Sequence, residues 1–149
     1  MRARWWGASG RQVPALAIEG DPAVPIEEAL VVDSPHDPDE IHSAFAAGTP
    51  VVVRAEGKSV YFAGDTCVFG DMQLIGRLYK PDLAVLPIGD HYTMGPEEAA
   101  LALELLGVKR CVPCHWGTFP PLVGRPDKLQ ELAPDVKVEM IEPGDTVTV

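Results

Sequence analysis

From about residue 50 onward, short β-branched runs alternate with stretches of helical periodicity, and turn residues sit at most of the joints. Val51-Val52-Val53-Arg54 and Ser59-Val60-Tyr61-Phe62-Ala63 flank Glu56-Gly57-Lys58, which predicts a hairpin with a glycine at its tip. Asp71 to Tyr79 has Leu74, Ile75 and Leu78 on one face and Pro81 just beyond, the pattern of a short helix. Asp82 to Ile88 reads as a buried strand. Pro96, followed by Glu97 and Glu98, opens a helix that runs to Leu106 and stops at Gly107. Lys109 to Cys114 is the next strand, Pro126 to Leu132 the next helix, and Val136 to Ile141 a further strand. A turn at Pro143-Gly144-Asp145 then leads to an expected last strand, Thr146 to Val149. Strands and helices in strict alternation predict a layered α/β domain.

The first 48 residues carry weaker patterning. Arg2 to Trp6, Val13 to Ile18 and Glu28 to Val32 are candidate strands, kept short by Pro14, Pro22 and Pro25. Asp37 as N-cap, Pro38 at the first position and Gly48 past the end predict a helix from Pro38 to Ala47. No repeat, low-complexity tract or long linker divides the chain. Residues 1–149 are therefore read as one domain, with 1–48 the less regular part and 49–149 the regular one.

Composition narrows the function classes. Of the 149 residues, 46% are hydrophobic and 23% charged, an ordinary globular balance. Twelve Lys plus Arg against 22 Asp plus Glu give a net charge of −10, which opposes attraction to nucleic acid and to anionic lipid. No run approaches the roughly 20 apolar residues of a membrane-spanning helix. Near the start, Arg11 and Gln12 interrupt what would be the apolar stretch of a secretory signal, and three cysteines make an odd count, so a cytoplasmic location is expected. The expected partner is a small-molecule substrate, with no nucleic acid and no membrane.

The chemistry gathers in loops that follow strands, where α/β sheets assemble their sites. Ala63-Gly64-Asp65-Thr66, Gly89-Asp90-His91-Tyr92-Thr93-Met94-Gly95 and His115-Trp116-Gly117-Thr118-Phe119-Pro120 each bring an Asp or His to a strand end, with glycine beside it. Three such loops on one rim form a metal-site pattern. Other readings stand beside it. Asp65 fits a turn aspartate bonded to its own backbone, His115 a plain strand-end histidine, His42 an exposed helical position, and His36 a solvated loop residue. Asp37, Asp39 and Glu40 fit helix capping. Cys111-Val112-Pro113-Cys114-His115 matches the pattern of covalent haem attachment, but that chemistry accompanies export and no signal precedes it. A redox dithiol would want the pair at a helix start, and a Cys-x-x-Cys zinc site lacks a second pair.

Phe62-Ala63-Gly64-Asp65-Thr66, Phe69-Gly70-Asp71-Met72, Lys80-Pro81-Asp82, the run from Leu86 to Ala100, and His115-Trp116-Gly117-Thr118-Phe119-Pro120 together resemble the carboxyl half of metal-dependent hydrolases of the metallo-β-lactamase superfamily. The branch they most resemble is the ascorbate-6-phosphate lactonase-like one, and the resemblance runs from about His42 to Val149. It implies an αββα sandwich with the metal at one rim, and in this half one sheet with helices on its outer face. Asp65 then stands for the aspartate that bridges two metals, His115 for the last histidine ligand, and His42 for a histidine preceding the hairpin. His91 stands at the mouth as a substrate contact or proton carrier.

Arg4-Trp5-Trp6-Gly7-Ala8-Ser9 resembles the family's opening strand and Gly-His-Ser turn, with Ala8 in the histidine's place. The family's upstream His-x-His-x-Asp-His loop has no equivalent in this sequence. Its nearest counterpart is Ser34-Pro35-His36-Asp37-Pro38-Asp39-Glu40, and the spacing between Val32 and His42 is shorter than the family's. A sandwich shortened in its N-terminal half is therefore expected. His42, Asp65 and His115 would be metal ligands, with His36 or Asp37 as a replacement fourth. One zinc ion or none is expected rather than two, with manganese or another divalent metal as alternative.

The implied activity is hydrolysis of a small ester, lactone or phosphoester, with Asp65 and His91 as the catalytic pair. Asp65 would take the proton of the nucleophile, while neutral His91 would stabilise the oxyanion or protonate the leaving group. The competing class is a catalytically silent remnant that acts by binding. A shortened sheet would expose apolar surface, so a homo-oligomer is expected.

Overall fold

The computed structural model describes residues 3–6, 11–14, 30–33, 50–142 and 144–149. β1 (Ala3–Trp6) and β2 (Arg11–Pro14) pair antiparallel as a small separate sheet. The main sheet has six strands in the order in which they occur along the chain: β3 (Leu30–Asp33), β4 (Val51–Ala55), β5 (Lys58–Phe62), β6 (Leu83–Pro87), β7 (Arg110–Cys114) and β8 (Lys137–Val138). All neighbours are parallel except β4 and β5. That pair is the predicted hairpin, and Glu56 (φ 51°) and Gly57 (φ 77°) occupy its tip. Positive φ at both turn residues matches the right-handed twist of the strands.

α1 (Met72–Tyr79), α2 (Pro96–Leu106) and α3 (Pro126–Leu132) make the crossovers that return the chain to parallel strands. α1 ends in a left-handed Lys80 whose N–H donates to the Gly76 carbonyl, and Pro81 then prevents continuation. α2 is the best-determined helix locally. Pro96 occupies its first turn, the Glu98 carboxylate accepts the Gly95 N–H at 3.1 Å, and left-handed Gly107 closes it by donating to Leu103 and Glu104 carbonyls. Gly76 faces the backbone of Leu106 so closely that any side chain there would strike it, so α1 and α2 pack backbone to backbone at this point.

Alternation along the strands sorts their side chains. Val52, Tyr61, Ala84, Leu86 and Cys111 point to the helical layer and share one buried core with Met72, Ile75, Ala99, Ala102, Leu103, Leu106 and Leu129. On the other face Val51, Phe62, Val85 and Val112 line up in register across four strands.

Two sequence expectations are corrected at the C-terminus. The strand expected over Val136–Ile141 is only Lys137–Val138: the Glu139 N–H makes one more bond to the Cys111 carbonyl, and the Ile141 N–H then turns back onto the Glu139 carbonyl while the Glu139 carboxylate meets Arg110 and Lys137. Gln130 of α3 satisfies the backbone there instead, bonding the Val136 carbonyl and the Val138 N–H. Thr146–Val149 is not a strand: the Thr148 carbonyl accepts from the Arg110 guanidinium rather than from a ladder. Glu142 and Asp145 are joined by reciprocal bonds around Gly144, while Pro143 of the expected turn lies outside the described residues. The expected helix Pro38–Ala47, with His42, and the residues His36 and Asp37 lie outside the described residues. No helix among those described is long and apolar enough to cross a membrane.

Candidate metal centre

Adjacent parallel strands put their carboxyl ends side by side, so the loops after β5, β6 and β7 meet at one rim of the sheet. After β5 the chain keeps one more ladder bond, Ala63 N–H to the Val85 carbonyl, and turns at left-handed Gly64 to present Asp65. After β7 it turns at His115 itself, a non-glycine residue at φ 53°. These two turns bring Asp65 Oδ2 to 3.8 Å from His115 Nε2, the side chains being 45% and 30% exposed.

The loop after β6 lies between them. The Ile88 N–H bonds the Cys114 carbonyl, Gly124 N–H bonds the Gly89 carbonyl, and Asp90 (φ 80°) forms an isolated bridge with Leu122. Met94 N–H reaches the Thr66 carbonyl, which ties the β6 loop to the β5 loop as well. Gly89 and Gly124 are glycine for steric reasons. A Cβ at 89 would strike the His115 carbonyl, and one at 124 would strike the Ile88 carbonyl. The backbone that carries His115 thus rests directly on Gly89.

His91 is exposed. Its ring meets Tyr92 edge to face at 4.5 Å, and no hydrogen bond or ion pair joins it to Asp65 or His115. The structure thus brings two of the four sequence candidates together, leaves His91 exposed on the β6 loop, and does not describe His42. Among the described residues no group of three or more His, Cys, Asp and Glu is arranged to hold a metal.

Sequence reasoning weighed Cys114 only as half of a Cys-x-x-Cys pair and not as a neighbour of Asp65. Burial and the Asp65 charge push its thiol up to about 12, so it stands neutral beside the carboxylate. Cys111, the other half of the Cys-x-x-Cys pair, is likewise pushed up to about 12 by burial first and Cys114 second. Two neutral thiols on a strand, one of them in the core, fit neither haem attachment nor a redox pair. The signal for Cys114 was its place directly before His115.

The spacing of the two donors suits a shared divalent ion. Two ligands about 2.0–2.2 Å from one zinc are roughly 3.4 Å apart at the tetrahedral angle and at most about 4.4 Å apart. The observed 3.8 Å falls inside that range and is too long for a direct hydrogen bond. His115 Nδ1 is also buried with no hydrogen-bond partner among the described residues. A carboxylate and an imidazole so placed fit two positions of a metal site, short of the about four that zinc takes.

A mixed α/β sheet with helices on one face and its acidic and imidazole groups at the strand ends is the architecture of metallo-β-lactamase-like proteins. The sequence profile of the Beta-lactamase superfamily domain matches residues 20–116, and the chain belongs to that superfamily. It is 60% identical over 86 residues to a UPF0173 metal-dependent hydrolase of Korarchaeum cryptofilum, covering 56% of this chain and 39% of that one. With a UPF0173 metal-dependent hydrolase of Solibacter usitatus it shares 51% over 109 residues, 72% of this chain and 47% of that one. The chain therefore spans about half the length of the curated relatives it matches or less.

Among solved structures it resembles Igni18, a metallo hydrolase of Ignicoccus hospitalis. The TM-score is 0.59 at 37% identity, over 78% of this chain and 57% of that one. A Parabacteroides distasonis protein gives a TM-score of 0.51 at 23% identity over 73% of this chain and 46% of that one, a likeness of fold alone.

Proposed function

We propose that the chain acts as a metal-dependent hydrolase, with Asp65 and His115 holding one divalent ion, most naturally zinc, and His42 as a further ligand. The observation that carries this reading is the 3.8 Å approach of Asp65 Oδ2 to His115 Nε2 across the intervening β6 loop. Relatives named metal-dependent hydrolases support it. The chemistry such an ion supplies when bound is polarisation of the oxygen under attack and acidification of the attacking water.

The chain's own residues do the rest. Asp65 accepts the proton of the attacking water through whichever oxygen is not engaged as a ligand. His91, exposed at the mouth and braced by Tyr92, donates to the departing oxygen or to the developing oxyanion. The β6 loop, pinned on both sides, holds the geometry fixed. The finer placement, in the lactonase-like branch, makes sugar lactones the first substrates to try.

The test is elemental analysis of the purified chain, with hydrolysis of a lactone and a phosphoester measured on the same sample. About one equivalent of divalent metal, lost in Asp65→Ala together with turnover, is expected. Protein that takes up no metal from zinc- or manganese-supplemented buffer, with Asp65→Ala indistinguishable from the parent, overturns the reading in favour of a catalytically silent binding fold.

A further inference from the structure

Three large apolar side chains stand exposed on the β6 loop, which lies between Asp65 and His115, and on the β7 loop, which carries His115: Tyr92 at 68%, Phe119 at 65% and Val123 at 63%. Tyr92 belongs to the β6 loop, and Phe119 and Val123 to the β7 loop. The two loops are fastened together by the Asp90–Leu122 bridge and by the Gly124 N–H on the Gly89 carbonyl. Within the β7 loop the Phe119 carbonyl accepts the Leu122 N–H at 3.0 Å, and the Leu122 carbonyl accepts the Gly117 N–H at 3.4 Å. Phe119 is thereby held as the first residue of a closed turn rather than on a loose strand of loop. Tyr92 is fixed at its base by its edge-to-face contact with the His91 ring.

We propose that Tyr92 and Phe119 form an apolar lip at the mouth of the site, which selects neutral carboxylic esters carrying an apolar acyl arm. The inference rests on the hydrolase reading given above and adds the substrate class to it. Charge argues for the neutral ester over the phosphoester. Residues 64–66, 89–95 and 115–124 contain no lysine or arginine and two aspartates, Asp65 and Asp90. The next cation along the chain, Arg125, lies 5.9 Å over the Trp116 ring. These three loops bring no cationic side chain of their own to a second negative charge, and Arg125 is engaged over the Trp116 ring, whereas two aromatic faces gain from covering methylenes.

In the reaction the water oxygen bonds to the acyl carbon. The bond from that carbon to the alcohol oxygen breaks, leaving its electron pair on the alcohol, and a proton of the water ends on the leaving oxygen. On the substrate the lip meets only the acyl arm, and any effect of Tyr92 on His91 falls equally on acetate and hexanoate, so the ratio of the two reports binding of the arm.

The experiment compares p-nitrophenyl acetate, p-nitrophenyl hexanoate and bis(p-nitrophenyl) phosphate on the full chain incubated with zinc chloride, with bound metal measured in each sample. Hexanoate is expected to exceed acetate in kcat/KM by about tenfold, chiefly through KM, because the added methylenes are only partly covered. In Tyr92→Ser/Phe119→Ser that ratio should fall towards one. Leu78→Ser, which removes an equally exposed apolar group on α1, should leave it unchanged. Saturation-transfer NMR of hexanamide, with acetamide as reference, reports the lip without any turnover.

If no substrate is hydrolysed but hexanamide is saturated by the parent and not by the double variant, the hydrolase reading fails and the lip stands. A ratio that survives the double variant, a preference for the phosphodiester, or hexanamide no more saturated than acetamide overturns the proposal.

Discussion

Gly89→Ala probes the contact on which the candidate site depends. Ordinary van der Waals distance for a Cβ begins at 3.4 Å, and the new methyl would lie well inside that distance from the His115 carbonyl and 3.0 Å from Leu122 Cδ2. The His115 backbone must retreat by roughly 1 Å to admit it, at an overpacking cost of about 1–3 kcal/mol. The direction follows from the strand order. β6 lies between β5 and β7, so pushing the β7 loop off Gly89 carries His115 away from Asp65. A separation of 3.8 Å then grows to almost 5 Å, past the roughly 4.4 Å that two donors on one ion can span. Metal affinity should fall at least about 100-fold, and any turnover with it.

The assay is competition for zinc against a chromophoric chelator, beside thermal unfolding of the metal-free protein. Gly57→Ala is the control. Its Cβ meets open space, but φ is 77°, so it should cost about 1–2 kcal/mol of stability and leave metal affinity alone. A Gly89→Ala protein that binds zinc like the parent refutes the argument that β6 sets the spacing.

Other expectations follow from the charges and thiols. Asp65→Asn should remove the rise in melting temperature that added zinc gives the parent, measured by scanning calorimetry. Of the three thiols, exposed Cys67 should react with a disulfide reagent at pH 8 within minutes, while Cys111 and Cys114, pushed up to about 12, react only as the chain opens. The unfolded thiols ionise near about 8.5, so stability should decline as pH climbs from there towards 12. Lys137 and Arg110 hold the Glu139 carboxyl below its ordinary value. Its contribution is therefore full above the unfolded pKa of about 4.3 and lost as pH falls through the lower folded one, and acid titration of Glu139→Gln should show a shallower decline than the parent.

The regular half of the fold was legible because its signals are local. Pro96, Glu98 and Gly107 bound α2 at both ends through contacts within a few residues, and Glu56-Gly57 sets the hairpin in the same way. Expectations failed where a distant partner decides. Nothing near Ile141 or Val147 announces that Arg110, some thirty residues earlier, engages the Glu139 carboxylate and the Thr148 carbonyl. The site shows the same division. Asp65 and His115 could be named from their glycine-flanked strand ends, but their approach depends on Gly89 and Gly124, whose necessity lies in steric contacts between loops. The lip of Tyr92 and Phe119 was invisible because exposure is not written in a residue's identity.

His115 and Asp90 both hold a left-handed backbone that only glycine adopts without penalty. Selection for durability alone would replace each with glycine, since a side chain there is a standing debit against the folded state. On the hydrolase reading proposed above, an imidazole and a carboxyl group at these corners are what that penalty secures, with the rigid sheet beneath absorbing the tension.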